Sequence, residues 1–294
     1  MKKRAVSVML TAAMVSAMLA GCGSKNAETQ SAADTTAESA VSGDETSADT
    51  QAADAETTDA SKTDGTFTVG FDQDFPPMGF VGDDGEFTGF DLEMAAEVAK
   101  RLNLTIAYQP IAWDAKDMEL DAGTIDCIWN GFTMNGREDE YAWTEPYVDN
   151  SQVFVVKEDS GIATFDDLAG KSVAVQTDSS AEAALKEDDN KELKDSFKEL
   201  VVVSDYNTAF MNLDSNAVEA IAMDIGVAKY QMESRDGKYK ILDNVLSAEQ
   251  YAVGFAKNNT ELRDKVQKTL DEMREDGKFA EIAEKWDLTD SVID

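Results

Sequence analysis

The sequence predicts an α/β protein with two lobes, and the arrangement of its apolar residues is the basis of that prediction. Short apolar runs typical of strands alternate with segments in which apolar residues recur at helical spacing. This alternation indicates parallel sheets covered by helices on both faces. Two strand candidates, "SQVFVVK" and "EQYAVGFAK", stand apart from it, and we expect both to cross between the lobes. One continuous domain is the alternative, because chain length alone does not exclude it.

Each element is predicted from its own pattern along the chain. The strand candidates are the apolar runs 67–71, 105–111, 125–130, 152–156, 172–176, 218–223 and 251–256. The helix candidates are the periodic segments 91–102, 115–122, 180–186, 225–234, 261–275 and 278–286. The first lobe is then expected to comprise residues 65–152 with 251–294, and the second residues 157–247. A cleft between two lobes is a favoured place for a ligand.

The first 21 residues are predicted to be a bacterial lipoprotein signal peptide. Basic residues in "MKKR" precede an apolar run over 5–20 that is too short and too rich in small residues for a membrane-spanning helix. The run ends in "LAGC", which resembles the lipobox that directs lipidation of its cysteine. We therefore expect a lipid such as palmitate on Cys22, anchoring the protein to the cell membrane on its extracytoplasmic side. Ordinary signal cleavage with Cys22 incidental is the alternative.

Composition narrows the classes of function. Residues 22–64 are mainly small, polar and acidic and include no aromatic residue, which predicts a disordered acidic tether. The net charge of the chain is −33, which argues against a nucleic-acid partner. The chain has no histidine and two cysteines, so we expect no disulfide framework, no metal site and no cofactor. Cys127 lies in an apolar run and is expected to be a buried, inert thiol.

One motif resembles a known family. The stretch "GFDLEMAAEVAKRL" (89–102) is similar to the signature of family 3 of the bacterial solute-binding proteins, which bind polar amino acids. An amphipathic helix after a turn would by itself show much of this pattern. Further blocks resemble the same family in the same order, including "FTVGFDQDFPPMGF", "AGTIDCIWNGFT", "YAWTEPYV", "FDDLAGKSVAVQTDSS", "VEAIAMD" and "EQYAVGFAKNNTELRDKVQKTLDEMREDGKFAEIAEKW". The last block is especially similar to glutamine-binding proteins.

The resemblance covers nearly all of residues 66–287 and implies both a fold and a function. The implied fold is the two-lobed, periplasmic-binding-protein-like (type II) fold with two hinge-crossing strands. The implied function is capture of a small polar amino acid by hinge closure and its delivery to the permease subunits of an ABC transporter. We expect a monomer that is not an enzyme.

The stretch "WNGFTMNGRED" carries the first-lobe half of the expected site. Arg137 resembles the family arginine that binds the ligand's α-carboxylate, a role suited to the guanidinium fork; a solvated surface arginine is the alternative. The step from Thr133 to Arg137 is one residue shorter than in many relatives, which indicates a tighter turn. Gly131 and Thr133 match the positions of the family that contact the ligand through the backbone and a hydroxyl group. The alternative is that glycine and threonine stand here because turns favour them. Asn130 is included with its role left open.

Three residues of the second lobe complete the expected site. Ser179 and Ser180 match carboxylate contacts at a helix start, where free N–H groups favour an anion. Ser179 and Glu182 also have the spacing of a capping box. Asp224 matches the aspartate that pairs with the ligand's ammonium group, and its alternative role is to cap the following helix.

The side chain of the ligand is expected to lie between aromatic residues. Phe75 and Trp113 match the aromatic walls of the family site, with core packing as the alternative for each. Asp72 matches an acidic residue found in both glutamine-binding and basic-amino-acid-binding members. Gln176 stands where a glutamine-binding member can carry lysine, which weakens a glutamine assignment. Glutamine, cystine and basic amino acids all remain candidates.

Two other functions are compatible with the same fold. One is a ligand-sensing subunit that acts through a membrane receptor. The other is a dehydratase-like enzyme. Because the chain has no histidine, such an enzyme would need a carboxylate such as Asp72 or Asp224 as its acid or base.

Overall fold

Two large β-sheets organise the part of the chain that this computed structural model describes, residues 65–235 and 237–293. The expected signal peptide, Cys22 and the tether lie outside the described residues. In chain order the strands are β1 (Thr66–Phe71), β2 (Asp74–Phe75), β3 (Gly79–Val81), β4 (Phe87–Thr88), β5 (Thr105–Pro110), β6 (Cys127–Ile128), β7 (Ala142–Trp143), β8 (Val148–Lys157), β9 (Ser172–Gln176), β10 (Glu199–Val203), β11 (Ala220–Asp224), β12 (Tyr239–Ile241), β13 (Ser247–Tyr251) and β14 (Gly254–Phe255). The helices are α1 (Phe90–Arg101), α2 (Lys116–Asp121), α3 (Ser180–Lys186), α4 (Lys191–Ser196), α5 (Tyr206–Asp214), α6 (Ile225–Glu233), α7 (Thr260–Glu275) and α8 (Lys278–Lys285).

Both large sheets combine parallel and antiparallel pairs. The first has the order β5-β1-β6-β14-β7, with β1 parallel to β5 and β6, and β14 antiparallel to both of its neighbours. The second has the order β10-β9-β11-β8-β12, and β13 also pairs with β8. Its β9, β10 and β11 are parallel, whereas β8 is antiparallel to its partners. A small antiparallel sheet contains β2, β3 and β4.

Hydrophobic patterning explains the central elements. Every residue of β9 ("SVAVQ") and β11 ("AIAMD") is buried, as expected for central parallel strands covered on both faces. On α1 the buried face includes Leu92, Met94 and Val98, while acidic residues occupy its first turn and basic residues its last, which suits the helix dipole. The predicted burial of Cys127 is confirmed, because its thiol lies in the core.

The chain passes twice between the two large sheets. It leaves the first sheet after β7 and enters the second at β8, then returns between β13 and β14. The sequence predicts one strand over 251–256, but the structure ends β13 at Tyr251 and begins β14 at Gly254. The two passages bond to each other: Tyr147 N donates to Tyr251 O at 2.9 Å, and Thr144 N donates to Val253 O at 3.1 Å. This pairing satisfies backbone groups that have left a sheet.

Several elements were not predicted from the sequence. They are β2, β3, β4, β7, β10, β12, α4 and α5, together with the first half of β13. Within residues 65–235 and 237–293, no helix has both the length and the apolar character needed to cross a membrane.

Candidate functional site

The predicted site residues lie at or just after the carboxyl ends of strands. Asp72 follows β1, and Asn130 and Gly131 lie shortly after β6. In the second sheet, Ser179 and Ser180 follow β9, and Asp224 is the last residue of β11. In α/β sheets this edge is where ligands bind, since the turns into the following helices leave side chains and backbone groups exposed there.

The Gly131 loop is held by a buried carboxylate. Gly131 N donates to Asp91 Oδ2 at 2.6 Å, and the Tyr147 hydroxyl donates to Asp91 Oδ1 at 2.7 Å. Burial raises the pKa of Asp91 to about 7, while these hydrogen bonds oppose the rise. Gly131 has φ +56°, and a Cβ added there would come within 2.8 Å of the Phe75 ring. Glycine is therefore required at this close approach between the loop and Phe75.

Asn130 supports Asp72, and Asp72 in turn contacts the second sheet. The side-chain oxygen of Asn130 accepts from Asp72 N at 3.0 Å. Gln176 Nε2, at the end of β9, donates to Asp72 Oδ2 at 2.7 Å. Burial raises the pKa of Asp72 to about 6, against the effect of hydrogen bonds from Asp74 N and Gln176. Asn130 thus positions an acidic side chain that reaches across to the other sheet.

Arg137 is half-buried and lines a cavity of about 550 Å³ with Ser180 and Glu249. Its guanidinium donates to Thr133 O at 3.3 Å and to Asp178 O at 3.4 Å, and its central carbon lies 5.4 Å from the centre of the Phe132 ring. Both hydrogen bonds go to carbonyl oxygens, so the positive charge remains available to a ligand anion.

The two adjacent serines differ in what their side chains do. Ser179 caps α3, because its hydroxyl accepts from Glu182 N at 3.2 Å and donates to Gln176 O at 2.8 Å. Ser180 is half-buried and lines the cavity that holds Arg137. The capping alternative therefore describes Ser179, while Ser180 is the serine placed beside the expected carboxylate-binding group.

Asp224 belongs to a buried hydrogen-bond network that also contains Glu249. Asp224 Oδ1 accepts from the Tyr251 hydroxyl at 2.6 Å, and its side chain makes no capping bond to α6. Glu249 Oε1 accepts from the Thr133 hydroxyl at 2.8 Å. Gln152 Nε2 donates to both carboxylates, at 2.8 Å to Asp224 and 2.7 Å to Glu249. Thr133 and Asp224, on opposite sides of the expected cleft, are thereby joined through Glu249.

The two predicted aromatic residues occupy different surroundings. The Phe75 ring lies 6.0 Å from the Tyr206 ring. Trp113 packs edge-on against Phe132 at 5.5 Å, and it borders a second cavity of about 400 Å³ with Asp72. The acidic lining of this second cavity also includes Asp74, Asp114 and Asp205. A cavity of about 670 Å³ beside Lys157 and Tyr239 holds none of the predicted site residues.

Sequence reasoning missed three buried residues of this region, namely Tyr206, Glu249 and Tyr251. Glu249 and Tyr251 are two positions apart on β13 and both are buried. A glutamate at an inward-facing strand position next to an inward-facing tyrosine is a signal that could have identified them. Among the described residues, no group of three or more histidine, cysteine, aspartate and glutamate side chains is arranged to hold a metal ion.

Comparison with known proteins agrees with this architecture. Residues 67–289 match the bacterial extracellular solute-binding proteins, family 3. The L-cystine-binding protein TcyJ of Escherichia coli K12 is 30% identical over 224 residues, covering 75% of this chain and 82% of TcyJ. Among solved structures, an ABC uptake transporter substrate-binding protein from Streptococcus pneumoniae with bound histidine has a TM-score of 0.72 and 36% identity, covering 76% of this chain and 92% of that chain.

A further similar structure is the ancestral amino-acid-binding protein AncCDT-1, described as a precursor of cyclohexadienyl dehydratase. It has a TM-score of 0.68 and 29% identity and covers 76% of this chain and 95% of that chain. The predicted two-lobed α/β fold is confirmed by these likenesses. The chain belongs to the bacterial extracellular solute-binding proteins, family 3.

Proposed function

We propose that this protein captures a polar amino acid in the cleft between its lobes and delivers it to an ABC importer. The observation that carries the proposal is the placement of opposite charges around one cavity. Arg137 and Glu249 line the same cavity of about 550 Å³, and Glu249 shares its hydrogen-bond donors with Asp224. An amino acid carries the complementary pair of charges, a carboxylate for the guanidinium and an ammonium for the carboxylates.

Each proposed contact follows from the position of its residue. Arg137 binds the α-carboxylate, with Ser180 beside it in the same cavity. Thr133 and Gly131 bind the ligand from the first lobe, and Asp224 binds the ammonium from the second. The first lobe comprises residues 65–152 with 251–294, and the second residues 157–247. Neither lobe alone supplies groups for both ligand charges, so binding favours the closed arrangement.

The second cavity supports a choice among the candidate amino acids. Its acidic residues are Asp72, Asp74, Asp114 and Asp205, and none of the described residues that line it is basic. These carboxylates favour a cationic end on the ligand. Within the set of glutamine, cystine and basic amino acids, we propose that a basic amino acid binds most tightly.

A thermal-shift screen of the twenty amino acids plus cystine and ornithine tests this function, because a ligand raises the apparent stability of the protein that binds it. Arg137→Ala should weaken binding of the amino acid that gives the largest shift by about 3–5 kcal/mol, the usual cost of removing one partner of a buried charge pair. Arg101→Ala is the matched control, since Arg101 pairs with Glu97 and Asp276 on the surface. Unchanged affinity in Arg137→Ala, measured by calorimetry, would contradict the assignment.

Membrane attachment and the transport partner rest on the sequence. We propose a lipid on Cys22 after removal of residues 1–21, a tether over 22–64, and a monomer that docks on the permease subunits. Cys22→Ser should abolish labelling by an alkyne fatty acid and release the protein from the membrane fraction. Cross-linking in intact cells, followed by identification of the membrane partner, should recover ABC permease subunits.

Catalysis is the second candidate function, and one observation favours considering it. A similar structure, AncCDT-1, is described as a precursor of cyclohexadienyl dehydratase. We propose that this chain does not catalyse that reaction, because Asp224 is assigned to the ligand's ammonium group and the chain has no histidine to act as acid or base in its place. Turnover of prephenate or arogenate by the purified protein would overturn this part of the proposal.

A further inference from the structure

Asp224 and Glu249 form a pair of neighbouring carboxylates with common hydrogen-bond donors. Asn150 Nδ2 donates to Asp224 Oδ1 at 2.8 Å and to Glu249 Oε1 at 2.7 Å. Gln152 Nε2 donates to the same two oxygens, at 2.8 Å and 2.7 Å. Two amide nitrogens bonded to the same pair of oxygens keep the carboxylates close together.

Both carboxylates are withdrawn from solvent and lack a described basic partner. Asp224 is 4% exposed and Glu249 is 6% exposed. Their hydrogen bonds come from neutral groups, namely the side chains of Thr133, Asn150, Gln152 and Tyr251. Neighbouring buried carboxylates without a cation do not both ionise, because desolvation and mutual repulsion favour holding one proton.

Two unpartnered polar atoms at the pair indicate that it receives a ligand. Gln152 is fully buried. The nitrogen of its side-chain amide donates to both carboxylates, and the oxygen of the same amide has no partner among the described residues. The hydroxyl of fully buried Tyr206 also has no partner there. An ammonium group has three N–H donors. Asp224, Glu249 and the Gln152 oxygen offer it three neighbouring acceptors.

We propose that Glu249 binds the ligand's ammonium group together with Asp224, and that the arriving ammonium displaces one proton shared by the two carboxylates. The inference rests on the proposed function and adds to it a second acidic contact residue and a proton-coupled binding step. The displaced proton passes to solvent, and the ammonium takes over its role of balancing the charge of the pair.

The surroundings of the pair are compatible with this exchange. Burial and the Asp224 charge raise the pKa of Glu249 to about 7, and burial raises the pKa of Asp224. Tyr206 and Tyr251 face the pair as neutral groups, because burial raises the pKa of each well above its ordinary value. The charged side chains around the cavity that Glu249 lines are Arg137, Glu140, Asp178, Lys186 and Glu187.

A direction for the pH dependence follows. The protein holds the shared proton at low pH and must lose it to bind, so affinity should rise with pH. With one proton released per ligand, the association constant should rise about tenfold per pH unit below the apparent pKa of the pair and level off above it.

Calorimetric titration at pH 5.5, 6.5 and 7.5, in two buffers of different ionisation enthalpy, measures the released proton directly. The probes are L-arginine, L-glutamine and L-cystine. For the wild-type protein we expect release of about one proton per ligand at pH 5.5, falling towards zero at pH 7.5. Binding without proton release at pH 5.5 would overturn the inference while leaving the proposed function intact.

The variant Glu249→Gln tests the residue itself, because glutamine can still accept from Thr133 but cannot hold the shared proton. We expect proton release to disappear and affinity at pH 7.5 to fall about tenfold or more. Glu272→Gln is the matched control, since Glu272 pairs with Lys268 on the surface of α7. Retained proton release in Glu249→Gln would overturn the inference. If no probe binds the wild type at any pH, the proposed function fails first and the inference fails with it.

Discussion

At the scale of single residues, Asp91 connects the core to the candidate site. It lies in the "GFDLE" motif of the family signature, where sequence alone indicates only a helix start. The structure shows it fully buried, with one oxygen accepting from Gly131 N and the other from the Tyr147 hydroxyl. A side chain of α1 thereby fixes the loop that carries Thr133 and Arg137.

Replacing Asp91 by alanine should destabilise the protein severely. Gly131 N and the Tyr147 hydroxyl would each lose a buried acceptor, at about 1–3 kcal/mol per group, so we expect a loss of about 2–6 kcal/mol in the free energy of unfolding. Asp91→Asn is the matched variant, because its amide can accept from Gly131 N and donate to the tyrosine oxygen. Urea denaturation measures both, and equal losses in the two variants would contradict the hydrogen-bond explanation.

The raised pKa of Asp91 also predicts how stability depends on pH. Its pKa is about 7 in the folded protein, against an ordinary value of 3.8, so above about pH 4 the folded state retains a proton that the unfolded chain has released. This contribution is fully present at low pH and is lost as the pH rises towards 7. Between pH 5 and 8, wild type should lose about 2.5 kcal/mol more than Asp91→Asn. Parallel pH profiles for the two proteins would contradict this.

The role of a residue can be predicted from the sequence when its partners lie in the same chain segment. Arg137 stands in a short polar turn after an apolar run, and it lines the same cavity as Ser180, while its contact with a ligand stays a prediction. The contact between Glu249 and Asp224 was not predictable from spacing, because it depends on β8 placing Asn150 and Gln152 between them. A pattern along one chain segment does not show which distant strand supplies such donors.

At the scale of elements, the start of α3 separates a structural serine from a candidate binding serine. Ser179 is buried and bonded to both Glu182 N and Gln176 O, whereas Ser180 borders the Arg137 cavity. Ser179→Ala should lower the free energy of unfolding by about 1 kcal/mol through loss of the cap. Ser180→Ala should leave stability unchanged and weaken amino-acid binding. Thermal unfolding and calorimetry of both variants distinguish the roles, and the reverse pattern would exchange them.

The helices and strands that were predicted correctly from the sequence are those in which buried residues form a continuous run or recur at helical spacing. The fully buried β9 and β11 and the amphipathic α1 were predicted close to their observed bounds. In contrast, β10 is an edge strand whose residues are half-buried or exposed, so its pattern carries less information. The apolar run 251–256 was predicted as one strand, although the chain leaves the second sheet at the end of β13 and enters the first at β14. The change of sheet is not visible in the sequence, because buried residues of both sheets are apolar.

At the scale of the whole molecule, side chains that lie beside one large sheet contact side chains beside the other. Gln176 donates to Asp72 at 2.7 Å, and Asn207 of α5 donates to Asp74 at 2.8 Å. The Lys116 ammonium of α2 also bonds to the Asp178 carboxylate. These contacts join the loop after β1 and the start of α2 to residues at the ends of β9 and β10.

Gln176 offers the sharpest test of these contacts, because it is buried and its amide links Asp72 to Ser204 O of the second sheet. Gln176→Ala removes this bond and leaves the Asp72 carboxylate without its donor from the second sheet. If the two lobes close as proposed, this loss favours opening, because water can then solvate the charge. We expect a larger radius of gyration in small-angle scattering without amino acid, and weaker binding, since part of the binding free energy must then drive closure. Gln109→Ala is the control, because the exposed side chain of Gln109 donates to the neighbouring Pro110 O. An unchanged radius in Gln176→Ala with full affinity would show that closure does not depend on the hydrogen bond between Gln176 and Asp72.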